Sequence, residues 1–182
     1  ANLMCGIAGL INQGSPDALH KMVDAVSHRG PDDAGVHWFD ADASGLGHRR
    51  LSIIDLSPSG HQPMADSSGR YWITFNGELY NYRLVREELS ADGAKFRSQS
   101  DTEVVLQAYA HWGKACLHKF NGMYAFAIYD RESKSLFAAR DRIGVKPFYY
   151  AEKGKALAFA SEIKALLKSG LVDAEPDTFA LH

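Results

Sequence analysis

Cys5 opens an apolar run, Cys5-Gly6-Ile7-Ala8-Gly9-Leu10-Ile11, and directly follows Met4. A cysteine so placed reads in two ways. It can be a small buried hydrophobe, because free cysteine is among the most buried residue types. It can also be a nucleophile. If Met4 is an initiator and is removed, Cys5 carries a free α-amine, which titrates at about pH 8 and can take the proton of its own side chain. One residue then supplies both nucleophile and base. A second group is Asn76-Gly77-Glu78. A carboxamide donor beside a glycine N–H makes an oxyanion hole, and glycine lets the backbone come close to a substrate. The same Asn-Gly pair is also the strongest short-range hairpin signal. A third group is charge suited to an amino acid. The fork of Arg50 matches a carboxylate, and Glu78 with Asp101 can hold an ammonium. Taken singly, Arg50 could be a surface ion pair and Asp101 a charge complementing a helix N-terminus.

The rest of the composition narrows the function classes. The chain has 182 residues, 46% hydrophobic and 23% charged, with a formal net charge of −2. That fits one globular domain with a sizeable core and gives no electrostatic footprint for nucleic acid or an anionic membrane. The basic runs His48-Arg49-Arg50 and Arg140-Asp141-Arg142 are short and interrupted. Two cysteines, Cys5 and Cys116, make no disulfide scaffold and no metal-ligand spacing, so no metal is expected and a cytoplasmic setting is the natural reading. No apolar stretch approaches the roughly 20 residues of a membrane span. The N-terminus does not have the pattern of a signal peptide.

These residues need elements to hold them. Residues 5–11 read as a buried strand. Pro16 opens a helix with Leu19, Met22, Val23 and Val26 on one face. Residues 28–33 read as a turn, 35–39 and 46–54 as strands with an arginine of the second pointing inward, and 55–70 as a long loop. A strand over 71–75 should end at Asn76-Gly77-Glu78, before a helix with Leu84, Val85 and Leu89 inward. Ser100 and Glu103 fit a capping box that starts a second helix, with Val104, Val105, Ala108, Tyr109 and Trp112 on its apolar face. Beyond Gly122, Met123–Asp130, Ser135–Arg140, Pro147–Glu152 and Ala156–Ala160 read as antiparallel strands. A last helix near 162–169 carries Ile163, Leu166 and Leu167, and Cys116 packs in a helical stretch. Strands, helices and strands in that order predict an α+β protein of stacked sheets covered by helices.

Seven blocks carry a resemblance: Met4–Gly9, His28–Asp32, Arg50–Asp55, Gly60–Met64, Phe75–Asn81, Ser100–Glu103 and Arg140–Pro147. Taken in order they resemble the class II glutamine amidotransferase domain of asparagine synthetases. The resemblance implies the N-terminal nucleophile hydrolase fold, a four-layer αββα sandwich of two mostly antiparallel sheets, over residues 5–170. It implies Cys5 as nucleophile with its α-amine as proton shuttle, and Asn76 with the Gly77 N–H as oxyanion hole. It implies Arg50 on the glutamine α-carboxylate and Glu78 and Asp101 on its ammonium, with Leu51, Ile53 and Ile54 completing the pocket. L-glutamine is the expected partner, and no cofactor is expected in this stretch. ATP and magnesium are expected for a C-terminal synthetase domain making asparagine, joined through residues 171–182 as the start of a linker. A homodimer is left open, as is an acceptor other than aspartate (sugar, peptide or polysaccharide), or a silent regulatory domain.

The sequence departs from that pattern in two places. Residues 1–4 read as a leader or expression remnant plus an initiator methionine, and while they remain Cys5 has a peptide nitrogen. In that form the chain is expected to be inactive. No Ser-Gly-Gly-x-Asp-Ser loop of the synthetase half occurs in it. The Arg140–Pro147 segment is expected to support folding or to face the synthetase half.

Overall fold

The computed structural model describes residues 4–51 and 60–175. In chain order the elements are β1 (Gly6–Ile11), α1 (Pro16–Ala25), β2 (Asp33–Phe39), β3 (Ser44–Arg50), β4 (Met64–Ala65), β5 (Tyr71–Leu79), α2 (Tyr82–Ala91), α3 (Asp101–Trp112), β6 (Gly122–Asp130), β7 (Ser135–Arg140), β8 (Tyr149–Lys153), β9 (Ala156–Ala160) and α4 (Ile163–Leu166). The strands form two sheets, ordered β2-β3-β1-β9-β8 and β4-β5-β6-β7. The paired strands run antiparallel.

Side-chain alternation along each strand builds the layers. Ile7 and Ile11 of β1 meet Ala125, Ala127 and Tyr129 of β6 in the space between the sheets. Ala8 and Leu10 turn the other way, onto Leu19, Met22 and Val23 of α1 and Ala165 of α4. On the second sheet, Ile73, Phe75, Phe126 and Ile128 face Val85 and Leu89 of α2 and Val104, Val105 and Ala108 of α3. Burying each such aliphatic side chain contributes about 1.5–3 kcal/mol. The result is helices, sheet, sheet, helices: the expected αββα sandwich. β1 is buried on both faces, which is why it reads as an unbroken apolar run.

Helix starts follow local chemistry. Ser15 accepts from the Ala18 N–H, with Pro16 at the first helical position of α1. Ser100 caps α3 by accepting from Thr102 N. The expected reciprocal box is modified. Glu103 reaches back past Ser100 to the N–H groups of Arg97 and Ser98 at 2.8 and 2.7 Å, fixing the loop ahead of the helix.

Other expectations need correcting. β5 does not end at Phe75 but runs through Asn76-Gly77-Glu78 to Leu79. Its ladder with β6 extends from Tyr71 opposite Asp130 to Leu79 opposite Gly122, and this long pairing overrides the local turn preference of Asn-Gly. β3 stops at Arg50, with Leu51 already outside the strand. The stretch read as loop contains β4, paired to β5. Leu84 is 67% exposed and Ile163 57%, so α2 turns Val85 and Leu89 inward and α4 turns Ala165 and Leu166.

Candidate active site

The pairing of β1 with β3, Gly6 opposite Arg49, carries Cys5 to the end of β3, where Arg50 and Leu51 lie. The sulfur sits between the backbone groups of Leu51: Leu51 N–H donates to Sγ over 3.3 Å, and the thiol donates to Leu51 O over 3.6 Å. Arg29, buried, donates from Nε to Cys5 O at 3.0 Å and is tied to Glu162 at 3.1 Å. The preceding residue is anchored too, Met4 N donating to Arg29 O. Burial pushes the Cys5 thiol above its ordinary range, against the Leu51 backbone bond and the charges of Lys146 and Arg50 that draw it down. This cysteine therefore rests as a thiol and would need a base to act as a nucleophile.

β5 passes beneath the end of β3. Thr74 donates to Gly47 O at 3.0 Å, and His48 Nε2 donates to Phe75 O at 3.1 Å. Burial holds His48 down to about 4, so the ring is neutral. Thr74 thus faces the first sheet, and with period-two alternation Asn76 and Glu78 face the same way. Asn76 is 1% exposed, yet its Nδ2 has no hydrogen-bond partner among the described residues. Buried amide donors are nearly always paired, so an orphan facing the inter-sheet space is the mark of a group waiting for an acceptor. Gly77 is required by packing: a Cβ there would come within 2.4 Å of Met123 O and 2.7 Å of Tyr124 Cα.

The charged residues converge on this end of the sandwich. Asp101, first residue of α3, accepts from Leu79 N at 3.0 Å. Burial raises it to about 6, with Glu78 adding to the rise, while the N–H groups of Leu79 and Thr102 oppose it. Its charge is felt at Cys5 as well. Arg50 is buried, and its guanidinium lies on Gly60, where a Cβ would meet Nη2 at 2.2 Å. Cys5, Arg50, Leu51, Asn76, Gly77, Glu78 and Asp101 are therefore gathered at one end of β1, β3 and β5. Ile53 and Ile54 lie outside the described residues.

Two residues here were not singled out by the sequence reading. Arg29 falls in a stretch that reads as a turn, and nothing local marks it as the brace of Cys5. Lys146 is buried, with Nζ donating to Met4 Sδ at 3.3 Å. Its only sequence signal is membership of the Arg140–Pro147 block. Cys116 is fully buried in the core beside α3, and burial pushes its thiol up to about 12, which makes it inert. Among the described residues no group of three or more His, Cys, Asp or Glu gathers to hold a metal ion, and no helix is long and apolar enough to cross a membrane.

Comparison with known proteins adds to this geometry. The family model for a glutamine amidotransferase domain matches residues 4–182. The chain is 42% identical to asparagine synthetase (glutamine-hydrolysing) 3 of Bacillus subtilis over 98% of its own length and 30% of the relative's. It is 42% identical to a putative asparagine synthetase 2 of Methanocaldococcus jannaschii over 90% of the chain and 35% of that protein. An amidase of Gibberella zeae, chry2, is 41% identical over 92% of the chain and 27% of the relative. The chain thus spans about a third or less of these relatives' length. Among solved structures, the glutamine phosphoribosylpyrophosphate amidotransferase of Bacillus subtilis superposes with a TM-score of 0.77 at 22% identity, over 91% of this chain and 44% of that one. That likeness shows the shared fold.

Proposed function

The chain belongs to the glutamine amidotransferase domain family, and on that footing we propose that it hydrolyses L-glutamine to glutamate and ammonia through a thioester on Cys5. The observation that carries this reading is the buried Asn76 Nδ2, without a hydrogen-bond partner among the described residues and facing the sheet at whose end the Cys5 sulfur is held.

With Met4 removed, the Cys5 α-amine takes the thiol proton. Sγ attacks the side-chain carbonyl carbon of glutamine, and the carbonyl π pair moves onto oxygen. Asn76 Nδ2 and the Gly77 N–H hold that oxyanion. The C–N bond then breaks, and ammonia leaves with the proton carried by the α-amine. Water adds to the thioester, the C–S bond breaks, and glutamate departs as the thiol reforms. Arg50 clamps the α-carboxylate and Glu78 with Asp101 the α-ammonium, and the backbone at Leu51, with Ile53 and Ile54, closes the pocket. A site built for both charges rejects analogues lacking either.

The asparagine synthetases among the relatives support asparagine as the final product, with the ammonia passed to aspartate. ATP and magnesium would then bind in a C-terminal synthetase domain, in a cytoplasmic enzyme. The amidase relative supports a second reading, in which the same glutaminase front end serves another acceptor. A glutaminase assay on protein beginning at Cys5, beside its Cys5→Ala variant, tests the first step. Equal glutamate release from both would end the reading. Asparagine formation from aspartate and ATP by the longer protein separates the two acceptors.

A further inference from the structure

Lys146 is only 7% exposed, although lysine is rarely buried unless paired. Its backbone is held on every side. Asp141 accepts from Val145 N at 2.8 Å, from Lys146 N at 3.0 Å and from Tyr124 N at 3.2 Å. The Arg140 guanidinium donates to Lys146 O at 2.5 Å and to Gly144 O at 2.6 Å, and Gly144 makes the turn at φ +69°. This braced turn aims the ammonium across the molecule at the start of β1, where Nζ donates to Met4 Sδ at 3.3 Å. A thioether is a weak acceptor and a poor partner for a buried ammonium. Met4 directly precedes Cys5, so the ammonium lies beside the chain segment that carries the Cys5 sulfur. The charged or titratable groups acting on Lys146 include Cys5, Arg29, Glu78 and Asp141, and those acting on Cys5 include Arg50 and Asp101 besides Lys146.

We propose that Lys146 is a positioning residue whose positive charge sets the protonation of the Cys5 amine–thiol pair, disfavouring the doubly protonated form so that the reactive one-proton form persists to lower pH. This rests on the glutaminase mechanism, in which removal of Met4 creates an α-amine beside Cys5 Sγ. A neighbouring cation destabilises an ammonium and stabilises a thiolate. The two titrations are coupled, so the effect falls on the pair's first macroscopic proton loss. Arg50, at the end of β3, draws the thiol the same way.

The test is the pH profile of Cys5 alkylation by iodoacetamide in protein matured to begin at Cys5, read by mass spectrometry, alongside glutamine turnover. Lys146→Met and Lys146→Gln should each move the acid-side midpoint up by about one pH unit, the order expected of a unit charge a few ångströms away. At pH values on the acid limb this is about a tenfold slower reaction, with the alkaline plateau within about twofold of the parent. Lys146→Arg, which keeps the charge, should restore the parent midpoint. The same midpoint in all four proteins would overturn the proposal, as would a uniform loss at every pH. Alkylation does not depend on glutamine. A parent protein that alkylates at Cys5 but releases no glutamate would sink the glutaminase reading, while the midpoints still decide the role of Lys146.

Discussion

Both backbone groups of Leu51 meet the sulfur of Cys5, the N–H donating over 3.3 Å and the carbonyl accepting over 3.6 Å. Leu51 follows Arg50 at the end of β3, so one short segment restrains the sulfur and presents the guanidinium. Burial raises the thiol, and the neighbouring histidine, His48, is neutral, fully buried and spent on Phe75 O. The proposed attack therefore needs a base from elsewhere, and the proposed mechanism takes it from the α-amine of Cys5.

Asn76→Ala should lower kcat by about 10²–10³, the usual cost of one oxyanion donor, with KM within a fewfold. Nδ2 has no hydrogen-bond partner to lose among the described residues, so the thermal midpoint should hold or rise. Steady-state kinetics beside a melting curve checks this. A large drop in stability with kcat intact would show that Asn76 serves the fold alone.

Asp101→Asn should weaken glutamine binding yet stabilise the protein at neutral pH. Burial raises this carboxyl from 3.8 to about 6, so its ionised form costs stability above pH 6, and that cost fades as pH falls from 6 toward 4. A shift of that size corresponds to roughly 1–3 kcal/mol once the retained Leu79 bond is allowed for. Denaturant unfolding at pH 7.5 and at pH 4.5 should show the gain at the higher pH and little at the lower.

The same titration should appear in substrate binding. Protonating Asp101 removes a charge proposed to hold the glutamine ammonium, so KM should rise as pH falls through about 6 while the Asp101→Asn variant shows no such rise. A KM profile flat through that range in the parent protein would detach Asp101 from the substrate.

Gly60→Ala should raise KM severalfold with a small change in stability. The added Cβ would meet Arg50 Nη2 at 2.2 Å, and the far end of a side chain can move aside where backbone cannot. The proposed carboxylate clamp would then be displaced by about 1 Å, enough to matter for a bidentate contact. Kinetics with glutamine and with a chain-matched analogue lacking the α-carboxylate should show the loss for glutamine only.

How far the sequence foretold this depends on the range of the interaction. The unbroken apolar run placed β1, and helical spacing placed α1 and α3, whose Leu19 and Val105 are buried as that spacing required. Asn76-Gly77 misled as a turn, because the ladder to β6 is a contact between residues some fifty apart. Glu103 looked like half of a capping box, but the free N–H groups it satisfies belong to Arg97 and Ser98. Leu84 was placed inward by its type alone, while Val85 and Leu89 define the buried face of α2. Lys146 was illegible because its burial depends on Asp141 and Arg140 bending the turn back onto the chain start. The candidate site came in outline from the resemblance, since Cys5, Arg50, Asn76 and Asp101 each have a plainer reading when taken singly.

The most direct measurement is intact-mass and peptide mass spectrometry after exposure to a diazoketone analogue of glutamine, on protein beginning at Cys5 and on protein that retains residues ahead of it. One adduct, on Cys5 and only in the first protein, is the predicted result. Equal labelling of both proteins, or an adduct on Cys116 in place of Cys5, would contradict the account.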